Sequence, residues 1–254
     1  MTKHFILPDV QAKPEVDFTY LTKIGKYVVA KQPDVIVCIG DFADMPSLSS
    51  YDVGTKNFEG KRYVKDIAAA HEAMEAFLKP LKEYNAKQKA NGKKQYKPRM
   101  VLTLGNHENR INRAINSDPK LEGVLSVDDL EYEKYGWEVY QFLEVVVIDG
   151  IAYSHYFVTG VAGRAASTAA VQLRKTNMSC IAGHQQGKQI AYATRADGST
   201  ITSIIAGSCY EHDEDYMGPQ GNKHWRGCFM LHEVDNGCFD EMWISLKYLN
   251  KKYE

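Results

Sequence analysis

Residues 100–108 read MVLTLGNHE, and this stretch decides the fold because a largely apolar run ends abruptly at a glycine and three polar residues. The run 100–104 predicts a buried strand, since it is short, apolar and bounded by a glycine. The segment GNHE at 105–108 follows where that strand ends. Asn106 offers an amide oxygen of the kind that binds metals, and His107 beside it offers an imidazole of the kind that transfers protons.

Four other predicted strands also end in polar residues that can bind metals. These residues are Asp9 and Gln11 after the strand at 3–8, GDFAD at 40–44 after the strand at 35–39, His155 after 151–154, and GHQQ at 183–186 after 178–182. A sheet brings the ends of its strands together from distant parts of the sequence. The five clusters therefore predict one metal site at the strand ends.

The overall composition favours a soluble enzyme. The 254 residues are 44% hydrophobic and 25% charged, which is enough for a sizeable core and fits one domain over residues 1–254 better than two. The net charge of −1 gives no overall attraction to nucleic acid or to an anionic membrane. Five dispersed cysteines without a CxxC pair indicate a reducing compartment. Without an apolar signal region or a membrane-spanning run, we expect a cytoplasmic protein.

Helices and strands alternate in the first half of the chain, and strands dominate the second half. The predicted helices lie at 15–31, 62–83, 108–116, 126–135 and 160–176, and further strands lie at 137–140 and 144–149. The dipeptide Asp149-Gly150 predicts a hairpin turn. The order βαβαβ followed by hairpins predicts an α/β fold, a β-sandwich of two sheets flanked by helices.

The segment 84–99 is a basic stretch with five lysines and Arg99. A solvated surface is the simpler interpretation, because charge runs usually face water. Contact with a polyanion is the alternative that the sequence leaves open.

In this order, the five clusters resemble the calcineurin-like metallophosphoesterase family, whose pattern is DxH, GDxxD, GNH(D/E), a lone histidine and GHxH. The resemblance covers roughly residues 5 to 190 and implies the αββα sandwich of that family. It also implies a hydrolase that cleaves phosphate esters with a hydroxide activated by two divalent metal ions. The sequences at 40–45 and 207–215 resemble those of bacteriophage-encoded members, which implies the host cytoplasm as the location.

The resemblance implies a role for each polar residue at the strand ends. The implied metal ligands are Asp9, Gln11 and Gln186 at the first site, Asn106, His155 and His184 at the second, and Asp41 bridging the two. His107 would protonate the leaving oxygen or stabilise the transition state, with Asp44 orienting its ring. Asn109 and Arg110 would hold the other oxygens of the phosphate.

Two departures from the family pattern affect the first metal site. Gln11 and Gln186 stand where the family has histidines. An amide oxygen is a neutral and weaker ligand than imidazole, so we expect this site to bind metal loosely and to prefer hard ions. Mn²⁺ is therefore the expected metal, ahead of Mg²⁺, Ni²⁺, Zn²⁺ or iron.

A third departure is Met45, where many phosphatases of the family place an arginine after GDxxD. The missing clamp favours a phosphodiester, which has less charge to hold, unless Arg110, Arg164 or Arg226 replaces it.

The run 210–226 is dense in polar and aromatic groups. Its simpler interpretation is an acidic loop between strands. The alternative is a rim over the active site on which Tyr210, His212 or Trp225 contacts the substrate.

Three functions remain in competition. A phosphodiesterase or nuclease acting on nucleic acid or a nucleotide is favoured by the basic segment 84–99 and by the missing arginine. A small-molecule phosphomonoesterase is the first alternative, and the near-neutral charge argues against long nucleic acids. A non-catalytic scaffold that binds proteins is the second, although the intact His107 and Asp44 oppose it. Catalysis with a single metal at the second site also stays open.

Overall fold

The apolar runs of the sequence form two sheets in the computed structural model, which describes residues 1–214 and 217–254. The strands are β1 (Thr2–Leu7), β2 (Val35–Cys38), β3 (Arg99–Thr103), β4 (Glu138–Tyr140), β5 (Val146–Ile148), β6 (Ile151–Tyr153), β7 (Val158–Thr159), β8 (Arg164–Ala165), β9 (Cys180–Ala182), β10 (Gln189–Thr194), β11 (Thr200–Ile205), β12 (Gly227–Asp235) and β13 (Cys238–Ser245). The helices are α1 (Thr19–Lys31), α2 (Tyr63–Ala90), α3 (Arg110–Ser117), α4 (Ala169–Thr176), α5 (Gly218–Gly221) and α6 (Leu246–Lys252). Asp215, the last residue of the run 207–215, lies outside the described residues.

The first sheet carries the strand ends of the first three clusters. Its order is β13-β12-β1-β2-β3-β4. Strands β1 to β4 are parallel, β12 is antiparallel to β1, and β13 is antiparallel to β12. In the register of the central strands, His4 lies opposite Val35. Parallel strands end together, so Asp9, Asp41 and Asn106 follow β1, β2 and β3 at the same end of the sheet.

The second sheet carries the last two clusters. Its order is β10-β11-β9-β6-β5, in which β6, β9 and β11 are parallel and the edge strands β5 and β10 are antiparallel to their neighbours. His155 and His184 follow the C-terminal ends of β6 and β9. The predicted hairpin turn joins β5 to β6, with Asp149 at a φ of 49° and Gly150 at 82°.

Side chains of the central strands alternate between two apolar layers. Ile6 and Val37 are buried with Ile181 between the two sheets. Phe5 and Ile36 point to the opposite face, where α1, α2 and α6 cover the first sheet. Helix α4 covers the second sheet, against β9, β10 and β11. Burial on both faces explains the nearly continuous apolar runs of the sequence and confirms the predicted sandwich of two sheets between helices.

Three predicted helices are shorter in the structure than the periodicity suggested. The prediction 160–176 was wrong over its first half, where β7 and β8 form a hairpin and Gly160 and Gly163 adopt a φ of 69° that a right-handed helix excludes. The prediction 126–135 retains only a 3₁₀ turn, because Glu131 takes a left-handed conformation. Helix α1 begins after Phe18 rather than at residue 15.

Helix α6 (Leu246–Lys252) was missed, because the pattern after residue 178 was interpreted as mainly strands. Its start carries a local signal, since the Ser245 hydroxyl accepts a hydrogen bond from the Tyr248 N–H at 3.2 Å. Leu246 and Leu249 are buried against the first sheet. A capping serine followed by two leucines three residues apart is the pattern that could have predicted this helix.

The basic segment 84–99 lies at the opposite end of the first sheet from Asp41. Its Tyr96 hydroxyl donates to the Pro33 carbonyl at 2.6 Å, just before β2 begins, and the segment leads into the start of β3. A strand of five residues spans roughly 15 Å, and this length separates the segment from the strand ends that carry the clusters. Most residues of the segment are exposed, as a solvated surface requires.

No helix in residues 1–214 and 217–254 has the length and apolar character needed to cross a membrane. The interpretation of residues 1–254 as a single domain stays a prediction.

Helices α1 and α2 approach closely at Gly25. A Cβ atom on Gly25 would lie 2.3 Å from the carbonyl oxygen of Phe77 and 3.0 Å from the ring of Pro80. Real Cβ atoms essentially never lie that close to a backbone oxygen. The contact between the two helices therefore depends on a residue without a side chain.

We expect Gly25→Ala to lower the free energy of unfolding by about 1–3 kcal/mol, because the added methyl group forces α1 away from α2. This loss is the net result of a larger steric cost and the gain of about 1 kcal/mol that alanine brings to a helix interior. Guanidinium denaturation followed by circular dichroism measures the change. Lys26→Ala, on the exposed side of α1, is the control. Equal stability of the two variants would contradict the prediction.

Candidate metal centre

The loops after β1 and β2 are held together by a short backbone ladder. The Gln11 N–H donates to the Asp41 carbonyl at 2.8 Å, and the Ala12 N–H donates to the Phe42 carbonyl at 2.7 Å. In return, the Asp44 N–H donates to the Ala12 carbonyl at 2.9 Å. These bonds fix the backbone on which two of the five clusters lie.

A buried carboxylate joins the loops after β2 and β3. Glu108 accepts hydrogen bonds from the backbone N–H groups of Asp41 and Ala43 at 3.0 Å and of Gly105 at 2.8 Å. The Tyr132 hydroxyl adds a fourth bond at 3.3 Å. Glu108 is fully buried, and burial together with the nearby Asp41 charge raises the pKa of its carboxyl group. Sequence reasoning gave Glu108 no role, although it is the last residue of the GNHE segment.

Asp41, His155 and His184 form a compact group at the strand ends. One possible ligand atom from each lies within 4.8 Å of the others. Asp41 Oδ2 lies 3.2 Å from His155 Nε2. The amide oxygen of Asn106 lies between the two imidazoles, 2.9 Å from His155 Nε2 and 2.7 Å from His184 Nδ1. The second predicted subsite therefore has four convergent ligand atoms of the types that divalent ions bind.

The second ring atom of His155 has a backbone partner, since its Nδ1 lies 2.9 Å from the Ile39 carbonyl oxygen. A donor bond to that carbonyl leaves Nε2 as the free lone pair, which is the arrangement found in metal-binding histidines.

The first predicted subsite is marked by buried polar atoms that have no partner within residues 1–214 and 217–254. They are Asp9 Oδ2, both amide atoms of Gln11, and the Gln186 amide oxygen. The other carboxylate oxygen of Asp9 accepts from the His184 N–H at 3.3 Å, which connects the two subsites. A buried polar atom without a partner costs free energy. A cation would satisfy the unpaired oxygens of Asp9, Gln11 and Gln186. Both subsites thus fit divalent ions.

Glycines before the ligands leave no room for a side chain. A Cβ atom on Gly105 would lie 2.0 Å from Asp41 Oδ1, and one on Gly183 would lie 2.4 Å from Asp9 Oδ1. The loops can therefore bring their backbones against the carboxylates only because these positions are glycine.

Three of the predicted ligands adopt a left-handed backbone that side chains rarely take. Gln11 has a φ of 48°, Asp41 of 49° and His184 of 68°. Such conformations cost energy and are concentrated at functional sites. The strain is compatible with a site whose geometry is imposed by the surrounding ladder and by Glu108.

The charges of the site are strongly coupled. Burial raises the pKa of Asp9 to about 8, and the Asp41 charge adds to that effect. Burial disfavours the charged form of His155, but the Asp41 carboxylate outweighs it and raises the pKa of the imidazole to about 9. Burial and the His155 charge lower the pKa of His184 to about 4. The proton on His155 balances the Asp41 carboxylate, and a bound cation would take over that role.

His107 and Asp44 form a hydrogen-bonded pair beside this group. His107 Nδ1 lies 2.6 Å from Asp44 Oδ1, and His107 Nε2 lies 3.7 Å from Asp41 Oδ2. Burial lowers the pKa of His107, but the Asp41 and Asp44 carboxylates outweigh it and raise the pKa above its usual value. The Arg110 guanidinium lies 3.3 Å from His107 Nε2 and donates to the Asp44 carbonyl at 2.6 Å. The pair can therefore hold a proton next to the metal subsites.

The other predicted substrate-binding residues lie in different surroundings. The Asn109 amide oxygen accepts from the Asn112 side chain at 3.1 Å. Tyr210 is fully buried, and its ring stacks on His212 at 4.5 Å between centroids. Contact of these residues with a substrate stays a prediction.

The candidate replacements for the missing arginine differ in availability. Arg226 donates to the Glu211 carbonyl at 2.9 Å and to Asp213 Oδ1 at 2.9 Å. Arg164 is exposed on the hairpin of β7 and β8. Met45 itself is buried. Arg110 is the arginine of this set that contacts the pair of His107 and Asp44.

The chain matches a known protein family over most of its length. The model of the calcineurin-like phosphoesterases matches residues 5–220. The chain belongs to the calcineurin-like phosphoesterases. No curated protein is significantly similar to it. This calcineurin-like phosphoesterase is a hydrolase of phosphoric ester bonds, and its family implies divalent metal ions. The resemblance seen in the sequence is confirmed for the family, and the bacteriophage subtype stays a prediction.

Sequence reasoning also missed an aromatic wall of the phosphoesterase site. The Tyr156 ring lies 4.8 Å from the His184 ring and 5.6 Å from the Phe142 ring, measured between centroids. Tyr156 directly follows His155, so its position after a strand-end histidine was the available signal.

For the phosphoesterase, we expect Glu108→Gln to lower the free energy of unfolding by about 2–3 kcal/mol, because an amide NH₂ group would face backbone N–H donors that need an acceptor. Denaturation of the metal-free protein measures this loss without any contribution from metal binding. Glu83→Gln, at an exposed position on α2, is the matched control. If both variants unfold at the same denaturant concentration, Glu108 does not hold the two loops.

Proposed function

We propose that this metal-dependent phosphoesterase is a two-metal phosphodiesterase. The observation that carries the proposal is the position of the His107–Asp44 pair beside Asp41 and its ligand group, which the bond from the His184 N–H to Asp9 connects to the second group. A general acid beside two adjacent cation subsites is the equipment that hydrolysis of a phosphate ester needs.

The ligands divide between two subsites in this proposal. Asp41 serves both, Asn106, His155 and His184 complete one, and Asp9 with Gln11 and Gln186 completes the other. Bound divalent ions would withdraw charge from the phosphate and activate the attacking water. The buried, unpaired atoms of Asp9, Gln11 and Gln186 support this assignment, because they are otherwise without compensation.

His107 acts as the general acid in this proposal. Its raised pKa favours the protonated imidazole, which is the state that can give a proton to the leaving oxygen. Asp44 holds Nδ1 and thereby directs Nε2 towards the site. Arg110, beside Nε2, is suited to stabilise negative charge on the phosphate. Asn109 directly precedes Arg110, and we assign it to the same negatively charged oxygens of the phosphate.

The preference for a diester is supported by the cations that the site lacks. Met45 is buried where the family often has an arginine, and Arg226 is committed to Glu211 and Asp213. A monoester at neutral pH carries about two negative charges and a diester one, so a site with fewer cations suits the diester. The basic segment 84–99 no longer argues for nucleic acid, because it lies at the far end of the sheet. A nucleotide or another small diester is the favoured substrate.

We infer Mn²⁺ as the metal of the first subsite, because the two glutamines replace nitrogen ligands by amide oxygens. Oxygen ligands suit Mn²⁺ and Mg²⁺, whereas imidazole favours Zn²⁺.

Hydrolysis of bis-p-nitrophenyl phosphate and p-nitrophenyl phosphate tests the proposal directly. Metal-stripped protein is refilled with Mn²⁺, Mg²⁺, Ni²⁺ or Zn²⁺. We expect the diester to be hydrolysed faster than the monoester, and Mn²⁺ to give the highest rate. We expect His107→Ala to reduce kcat by about 10²- to 10⁴-fold without loss of bound metal, because it removes only the proton donor.

His232→Ala is the control for that variant, since His232 lies on β12 near the end that pairs with Thr2, away from the site. Full activity in His107→Ala would refute the role of His107. Turnover of neither ester with any metal, in a protein that holds no metal, would favour a scaffold.

We expect the double variant Gln11→His with Gln186→His to bind Zn²⁺ at least about tenfold more tightly, because two imidazoles replace two neutral amides at the first subsite. Calorimetric titration with Zn²⁺ and Mn²⁺ measures both affinities. Gln185→His, at a neighbouring position with a hydrogen bond to the backbone of Ala166, is the control. An unchanged ratio of Zn²⁺ to Mn²⁺ affinity would show that the two glutamines lie outside the metal's coordination.

A further inference from the structure

Lys13 and Glu214 form an ion pair that the mechanism above does not use. Lys13 Nζ lies 2.8 Å from Glu214 Oε1, and the two side chains are only 22% and 10% exposed. Lys13 directly follows the ladder in which the Asp44 N–H donates to the Ala12 carbonyl. That ladder places Lys13 along the chain segment that lies beside Asp44. The pair is therefore a neighbour of the proposed general acid and its orienting carboxylate.

Glu214 is held in position from several sides. Its backbone N–H donates to the Asn222 side-chain oxygen at 2.9 Å, and its carbonyl accepts from the Asn222 amide at 2.8 Å. Its Oε1 also lies 2.8 Å from His212 Nε2. The His212 ring stacks on Tyr210, and the Arg226 guanidinium lies 4.9 Å above the Tyr210 ring. This ion pair is thus more fixed than a surface pair between two flexible side chains.

The charges of the pair act on the catalytic residues. Burial alone would raise the pKa of Asp44, but the hydrogen bond and charge of His107, then Arg110 and Lys13, hold it below its usual value. Burial and the Asp44 charge would raise the pKa of the Glu214 carboxyl group, but His212 and Lys13 hold it below its usual value. One positive and one negative charge leave the pair without net charge. Lys13 therefore offers an ammonium group that can contact an anionic oxygen, while the pair as a whole adds no net positive charge to the site.

We propose that the Lys13–Glu214 pair determines the charge of the phosphate ester that the site accepts. Lys13 binds an anionic oxygen of the substrate, and Glu214 cancels the excess attraction that Lys13 alone would exert on a second negative charge. The inference rests on the proposed function and adds a residue-level reason for a preference for singly charged diesters. Lys13 is a substrate-binding residue in this scheme, and Glu214 is a positioning residue that acts through it.

The proposal makes a quantitative distinction between two anions. Coulomb energy scales with the product of the charges, so a change in the charge of the pair acts twice as strongly on a dianion as on a monoanion. Glu214→Gln leaves Lys13 uncompensated. We expect it to tighten the binding of inorganic phosphate at pH 8 by about tenfold and that of dimethyl phosphate by about threefold. Lys13→Met leaves Glu214 uncompensated, and we expect opposite shifts of similar size.

Calorimetric titration of the full-length, Mn²⁺-loaded protein with each anion provides the measurement. Glu131→Gln is the matched control, because it removes the acidic member of an exposed ion pair with Lys134 outside the site, and it should leave both affinities unchanged. If Glu214 had only a structural role, its substitution would weaken the binding of both anions equally. The ratio of the two affinities is therefore the informative readout. Lys13→Met keeps the test decisive if Glu214→Gln does not fold.

An unchanged ratio of phosphate to dimethyl phosphate affinity in both variants would overturn the proposal, and so would failure of the wild-type protein to bind either anion. Failure of the proposed function has a different signature, since it is the absence of metal-dependent ester turnover in the wild type. The binding measurement does not require turnover, so the two outcomes can be told apart.

Discussion

The buried carboxylate of Glu108 is the interaction on which the arrangement of the site depends. It accepts backbone hydrogen bonds from the loop after β2 and from the loop after β3, so the two loops keep one relative position. Asp41 lies on the first loop, and Asn106 and His107 lie on the second. A carboxylate with four donors is fully satisfied, which offsets the cost of burying its charge. Asp41, His107 and Asp44, which we propose as ligand, proton donor and orienting carboxylate, are thereby held in one arrangement.

Close approach is the second constraint, and it explains why glycine precedes the polar residues of the clusters. The carboxylates of Asp41 and Asp9 rest against the backbones of Gly105 and Gly183 at distances that exclude a Cβ atom. The loops are also forced into left-handed conformations at several ligands. Such a site is specified by its backbone as much as by its side chains, because a side chain at either glycine would clash and the left-handed conformations cost energy.

The sequence predicted the sandwich and the family because strand-end polar clusters and apolar runs are local patterns that can be recognised without a structure. It predicted that Asp41, Asn106, His155 and His184 meet, because the family resemblance assigned all four to one metal site. The first two follow strands of one sheet and the last two follow strands of the other. The ladder between Gln11 and Asp41 and the bonds of Glu108 could not be predicted, because they join residues far apart in sequence through backbone atoms. The basic segment shows the same limit, since composition gave its charge but only the topology gave its distance from the site. Helix α6 and the hairpin of β7 and β8 were missed where short elements depend on capping and left-handed glycines rather than on periodicity.

The ligands of the candidate metal centre come from both sheets of the sandwich. Asp9, Asp41 and Asn106 follow strands of the first sheet, and His155 and His184 follow strands of the second. Each proposed subsite draws its ligands from both sheets, because Gln186 also follows a strand of the second sheet. A cation bound there would be a cross-link between the sheets, and a chain whose sheets have separated would offer it an incomplete set of ligands. Binding to the folded chain alone adds about 2.7 kcal/mol of stability when the free ion is at 100 times its dissociation constant. The resistance of this protein to unfolding would therefore rise with the concentration of free metal ion around it.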